Sequence, residues 1–269
     1  MNNPLPSPTL ELVDFDGVAA WVDAALFDAC GVRVAFTGRA GGCSAPPYDS
    51  LNLGGRLDDD PACVARNRKR TLEALGGAGL PLIVPVQVHG THVLIADEEV
   101  PTPEERQDKV EADAVVVTAA RLAAQLSFAD CLPLVMVAPG GAFAVAHAGW
   151  RGALAGISGL AARAPGDAAQ CDPAQINAYI GPHICRKCFE TGEDVSARFA
   201  AEYGADVLAD SRHVDLTCAV STDLLRVGLQ AERIADCEAC TMCHPDVYYS
   251  YRASGGTCGR QGAIAFAVQ

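Results

Sequence analysis

Two histidines and a cysteine stand at the ends of short apolar runs. They are His89 in Gln87-Val88-His89-Gly90, Cys131 in Ala129-Asp130-Cys131-Leu132-Pro133, and His147 in Ala146-His147-Ala148-Gly149-Trp150-Arg151-Gly152. Two imidazoles and a thiolate suit a borderline-soft zinc ion, and three protein ligands leave a fourth position for water or substrate, as catalytic sites require. The separations of 42 and 16 residues match no local metal motif, and neither H-E-x-x-H nor H-x-E with P-C-x-x-C occurs. By spacing alone, Cys131 as a small buried hydrophobe and the histidines as hydrogen-bonded core or surface residues stay open. So does a metal-free reading, with Cys131 a thiolate nucleophile activated by His147 or His89 and oriented by Asp130.

Asp130 and Gln87 flank these positions and are the candidates for acid–base help or for positioning a reactant. The run from His147 to Gly152 lies between an apolar strand and a helix, so free N–H groups near Gly149, with the guanidinium of Arg151, can receive an anion such as phosphate. A plain chain-reversing turn with Arg151 in solvent is the alternative. Arg39 and Arg260, also beside glycines, are the other places for an anion. His92, His183, His213 and His244 read as solvated or structural residues.

A second set of thiols follows in Cys185-x-x-Cys188 and Cys237-x-x-Cys240-x-x-Cys243. Cys185, Cys188, Cys240 and Cys243 can close one tetrahedral structural zinc site as two knuckles. Ordinary or redox-sensitive thiols are the alternative reading.

Positioning these groups requires a sheet. LIVPVQVHG, THVLIAD, DAVVVTA, LAAQLSFADCLPLVMVA and GAFAVAHAGW are short, rich in apolar residues and bounded by Gly, Pro or Asp, which predicts strands. VAAWVDAALFD and VRVAFTGRAGG predict an early strand pair or a strand with a short helix, INAYIGP another strand and AIAFAV a closing one. Helices are expected over 62–76, with Asp58 to Asp60 before it and glycines after, and in WRGALAGISGLAARA, EDVSARFAAEYG and STDLLRVGLQAERI. Residues 1–15, with three prolines, read as a flexible entry segment, and 16–269 as one domain without a linker or repeat. Mixed strands and helices without a strict βαβ rhythm favour a layered α/β or α+β domain with a mixed sheet.

Half of the 269 residues are hydrophobic but only 6% aromatic, so the core must be aliphatic. A formal charge of −13 argues against nucleic acid or an anionic membrane as partner. The N-terminus has no basic start or apolar core of a signal peptide, and no window approaches a membrane span. Twelve cysteines in such a chain are expected to be reduced, in the cytoplasm.

TGRAGG, SLNLGG, QVHGTHV, ADCLP, HAGWRG, IGPHIC…CFETGEDV and YYSYRASGGTCGR, in this order over residues 35–269, resemble the laccase-domain (multicopper polyphenol oxidoreductase, YfiH-like) family. The resemblance implies an α/β/β/α sandwich and a zinc held by His89, Cys131 and His147. It also implies purine nucleoside phosphorylase activity on adenosine, inosine and methylthioadenosine, with adenosine deaminase activity; editing of a peptidoglycan precursor is the alternative it offers. Copper oxidase chemistry fits poorly, since only six histidines occur and none forms an H-x-H pair. Gly38 before Arg39, and Cys185, Cys237 and Cys243, depart from the family pattern. Small-molecule partners, a purine nucleoside and phosphate, follow from the resemblance; oligomeric state does not.

Overall fold

The computed structural model describes residues 4–97 and 110–268. Two six-stranded mixed sheets lie face to face. The first has the order β1-β2-β3-β12-β7-β4, built from Glu11–Phe15, Val18–Val22, Val32–Thr37, Gln261–Ala267, Ala123–Phe128 and Leu82–Ile83. The second has the order β11-β10-β8-β9-β6-β5, built from Ile234–Asp236, Asn177–Ile180, Leu132–Val137, Phe143–Ala148, Ala114–Val117 and Val93–Ala96. Pairing is antiparallel except for β4 on β7, β5 on β6 and β10 on β11.

Strand alternation explains the layers, because successive side chains point to opposite faces. Val115 and Val117 of β6, Val135 and Val137 of β8 and Val145 of β9 face the first sheet, meeting Val34, Phe36, Leu126 and Phe128. Ala114, Val116, Leu134, Met136, Ala144 and Ala146 face the other way. There they pack beneath α4 (Ile157–Ala169), α5 (Glu193–Tyr203) and α6 (Leu216–Arg226), through residues such as Ala161, Phe199 and Val220. On the outer face of the first sheet, Leu72 of α2 (Pro61–Ala74) meets Ala35, Ile264 and Phe266. The expected α/β/β/α layering is the fold, and the inner strands of the second sheet, β6, β8, β9 and β10, are short and wholly buried, as their apolar runs require, while its edge strands β5 and β11 are partly exposed.

Several expected elements differ in extent. The entry segment is shorter than residues 1–15: Glu11–Phe15 is the edge strand β1 on β2, while residues 1–3 lie outside the described residues. A short α1 (Ala24–Cys30) follows β2, capped by the Asp23 carboxylate. Helix α2 begins at Pro61 with Asp60 accepting from the Ala62 N–H, the capping chemistry that Asp58 to Asp60 announced. WRGALAGISGLAARA forms two helices, α3 (Trp150–Leu154) and α4, because Gly156 takes a left-handed φ of 79° between them. STDLLRVGLQAERI holds only the end of α6: Asp215 caps its start by accepting from the Cys218 N–H, and Gly228, at φ 104°, follows its last turn. LIVPVQVHG supplies only the two residues of β4, with Val86 bridging to Glu111.

Candidate metal centre and cavity

Asp113, Cys131 and His147 meet at one end of the second sheet. Asp113 precedes β6, Cys131 precedes β8, and His147 is near the end of β9, where the register pairs Ala114 with Ala146 and Pro133 with His147. The turn Ala129-Asp130-Cys131 carries the chain from β7 in one sheet to β8 in the other, with Asp130 at a φ of 82°. His89 comes from the segment after β4 and has a φ of 60°. Left-handed residues other than glycine persist only where their surroundings hold them, and here both adjoin reactive groups.

The ligand atoms of His89, Cys131 and His147 all lie within 4.8 Å of one another. Cys131 Sγ is 3.9 Å from His89 Nε2, and the two imidazoles meet edge to face with centroids 4.8 Å apart. Tetrahedral zinc bonds of about 2.0–2.1 Å to nitrogen and about 2.3 Å to sulfur put such atoms about 3.6 Å apart, so small movements suffice for binding. A Cβ on Gly149 would sit 2.7 Å from His89 Cδ2 and 3.3 Å from Cys131 Sγ, so the cradle closes around the three side chains only because that position is bare. The residues present fit a metal ion with one open position.

Asp113 organises both histidines. Its Oδ1 accepts from His147 Nδ1 at 2.8 Å, which leaves Nε2 for the ligand cluster. The same carboxylate accepts from the backbone N–H groups of Val88, His89 and Gly90 at 3.1, 3.0 and 2.7 Å. A fully buried carboxylate with four donors is the outer partner expected of a metal-binding imidazole. Burial alone would push the Asp113 carboxyl up; the bond and charge of His147 and the N–H groups of Gly90 and Val88 outweigh it, and its pKa falls. Burial likewise opposes charge on the other two groups, yet in the metal-free cluster attraction wins: His147 and His89 bring the Cys131 thiol down to about 6, and Cys131 and Asp113 bring His147 up to about 9. Asp113 was not among the residues singled out by sequence; an acid inside an otherwise apolar strand start, Ala112-Asp113-Ala114-Val115, was the available signal.

The cluster forms the floor of a cavity of about 920 Å³. Arg56, Arg68, Arg151, Arg252 and Arg260 line it, and among the described residues Asp130 is the one carboxylate in the lining. In a chain of net charge −13 this is a local reversal of sign, suited to an anionic ligand. Val64, Val86, Ile184, Phe189 and Tyr251 add an apolar and aromatic wall.

Other expected site residues are placed differently. Arg39 is not in the lining: Nε and Nη2 donate to the Asp49 carbonyl, Nη1 donates to the Pro245 carbonyl, and the guanidinium lies over the Tyr249 ring. Its donors are engaged in joining two loops, which corrects the expectation that it meets an anion. Gly149 caps α3, but that helix has only five residues, so its dipole offers an anion little; the glycine's contribution is clearance. Arg151 does line the cavity, stacked 4.2 Å over Trp150. Gln87 lines it too, with its amide paired to the backbone of Ser127, donating from Nε2 at 2.9 Å and accepting at Oε1 at 2.8 Å. The side chain thereby extends the strand pairing that Pro85 interrupts. Asp130 Oδ1 accepts from Thr241 Oγ1 at 2.7 Å and Oδ2 from the Arg252 N–H at 2.7 Å, which ties the turn bearing Cys131 to the C-terminal loop. Of the two tasks expected of Gln87 and Asp130, acid–base help or positioning, these bonds suit positioning. His183 is buried and bonded to the Gly181 carbonyl and to Thr217, a structural role.

Residues 33–267 match the family model described as multi-copper polyphenol oxidoreductase laccase. The chain belongs to this family. Among its relatives, a purine nucleoside phosphorylase of Deinococcus radiodurans is 36% identical over 241 residues, covering 86% of this chain and 87% of that protein. The purine nucleoside phosphorylase YfiH of Escherichia coli is 34% identical over 242 residues, covering 88% and 95%. The crystal structure of YlmD from Geobacillus stearothermophilus superposes with a TM-score of 0.83 at 28% identity, covering 96% of this chain and 98% of that one. Bacillus licheniformis YfiH, at 23% identity and a TM-score of 0.86, shares the fold. No helix among the described residues is long and apolar enough to cross a membrane.

Proposed function

We propose that the chain is a zinc-dependent purine nucleoside phosphorylase acting on adenosine, inosine and 5′-methylthioadenosine, with His89, Cys131 and His147 as the zinc ligands. The observation that carries this reading is the juxtaposition of an open three-ligand cluster with an arginine-lined cavity large enough for a nucleoside. Relatives at about 35% identity that bear the phosphorylase name support the reaction class.

The ion, when bound, supplies Lewis acidity at the cavity floor. The chain's own residues do the rest. Guanidinium forks from the cavity wall bind phosphate and hold it against the sugar. Arg56 and Arg151 are assigned this task, because the bonds of Arg68 to the Leu53 carbonyl, Arg252 to Glu190 and Arg260 to Cys258 and Gly259 commit those side chains to shaping the wall. Phe189 and Tyr251 provide faces for the purine. A phosphate oxygen attacks the anomeric carbon, the bond from that carbon to the purine nitrogen breaks, and its electron pair leaves with the base. The proton lost by hydrogen phosphate is the one the base gains, so the balance needs no further acid. Asp130, through Thr241 and Arg252, and Gln87, through Ser127, hold the floor and wall in place.

Deamination of adenosine is a second reaction of the same floor, one that consumes water in place of phosphate. The test follows adenine and ammonia release from adenosine, with and without phosphate. Phosphate-dependent release of adenine with formation of a ribose phosphate supports the phosphorylase reading. Ammonia release indifferent to phosphate, without adenine, replaces it by a deaminase, and absence of both overturns it.

A further inference from the structure

A second group of thiols lies away from this floor. Cys185, Cys188, Cys240 and Cys243 place their four sulfur atoms within 4.8 Å of one another, whereas Cys237, in the same C-x-x-C series, is outside the group. The fold explains the encounter. Strands β10 and β11 are parallel neighbours, so the loops leaving their ends run side by side. They are stitched by His183 N–H donating to the Ala239 carbonyl and Thr241 N–H donating to the His183 carbonyl. Each C-x-x-C closes a tight turn: the Cys188 and Phe189 N–H groups both reach the Cys185 carbonyl, and the His244 N–H reaches the Cys240 carbonyl.

We propose that these four cysteines hold a structural zinc ion, distinct from the one assigned above and independent of the catalytic reading. Zinc–sulfur bonds of about 2.3 Å in a tetrahedron require sulfur separations of about 3.8 Å, which four sulfurs within 4.8 Å of one another can reach by small movements. Cys188 and Cys243 are 3.5 Å apart, well beyond a disulfide bond, and all four thiols are free. The Cys185 N–H donates to Cys240 Sγ at 3.3 Å, the kind of backbone bond that stabilises a metal thiolate.

The ion's place in the fold assigns its work. Thr241, between Cys240 and Cys243, donates to Asp130, whose other oxygen holds the Arg252 N–H, and Arg252 Nη2 donates to the carbonyl of Glu190, two residues beyond Cys188. This closes a ring of contacts around the cavity wall that carries Phe189 and Arg252. The zinc clamps that ring, and through Asp130 it fixes the turn bearing Cys131.

The test uses the full chain prepared under reducing conditions, with Cys131→Ser to empty the first site. Cys131→Ser retains one zinc per chain, loses it when Cys188→Ser and Cys243→Ser are added, and takes up one cobalt(II) with the intense near-ultraviolet charge-transfer bands of a tetrathiolate site. Chelating that ion speeds amide exchange at Thr241 and Arg252 at least tenfold. A Cys131→Ser protein that is folded but binds neither zinc nor cobalt overturns the proposal, as does one containing iron with sulfide or a Cys188–Cys243 disulfide. The cobalt spectrum of Cys131→Ser decides the matter even if the triple variant does not fold. Loss of adenine release alone bears on the first site only.

Discussion

Asp113 and His147 are joined at 2.8 Å, Oδ1 to Nδ1, and the same carboxylate caps the backbone of His89. One buried acid thus sets the ring orientation of His147 and the backbone of His89, two of the three proposed zinc ligands. Asp113→Asn keeps the shape but removes the charge. It is expected to weaken zinc binding at the first site about 10–100-fold, measured by competition with a chelator of known affinity. Unchanged affinity would show that the two histidines are positioned by packing alone.

Gly149→Ala brings a methyl group to 2.7 Å from His89 Cδ2 and 3.3 Å from Cys131 Sγ. Overpacking of this kind costs about 1–3 kcal/mol. Denaturant unfolding of the zinc-free variant should show that loss, and the zinc-loaded protein should lose more because the ligands are pushed apart. Equal losses with and without zinc would mean that the cradle yields elsewhere.

Binding at the first site should release protons in a pH-dependent number. In the metal-free cluster the Cys131 thiol, lowered to about 6, is ionised above that pH, while His147, raised to about 9, stays protonated below it. Zinc needs thiolate and neutral imidazole, so between about pH 6 and 9 one proton leaves His147 on binding, and affinity rises about tenfold per pH unit. Below about 6 a second proton leaves from Cys131, and above about 9 this pair contributes none. Calorimetry in buffers of different ionisation enthalpy, on protein whose four-cysteine cluster is already loaded, counts these protons; a pH-independent affinity from 6 to 9 would contradict the pairing.

Much of this arrangement was legible in the chain. The apolar runs announced the inner strands of the second sheet, and the types of His89, Cys131 and His147 at their ends announced the cluster that the fold brings together. The four-cysteine grouping was visible in its C-x-x-C spacing. Arg39 misled because adjacency to glycine says nothing of where a guanidinium points; in the fold it joins Asp49 to Pro245. Arg56, Arg68 and Arg252 escaped notice for the converse reason, since α2 and two distant loops bring them together only in three dimensions. Gln87 and Asp130 stand beside the His89, Cys131 and His147 cluster as expected, but their partners, Ser127, Thr241 and the Arg252 backbone, are far away in sequence and could not be read from it.

Arg56→Ala and Arg151→Ala separate anion binding from floor chemistry. Each removes a charge-assisted contact worth about 1.5–3 kcal/mol, so the KM for phosphate should rise at least tenfold while zinc content and the KM for adenosine change little. Steady-state kinetics at varied phosphate checks this. Equal effects on both substrates would place these arginines in general shaping of the cavity.

The central claim is that one zinc at His89, Cys131 and His147 supports phosphorolysis. The most direct measurement pairs zinc content with phosphate-dependent adenine release for the native chain and Cys131→Ala. The account predicts that the variant loses one zinc per chain and its adenine release together, while remaining folded. A folded Cys131→Ala protein that has lost this zinc and still releases adenine with phosphate would contradict it.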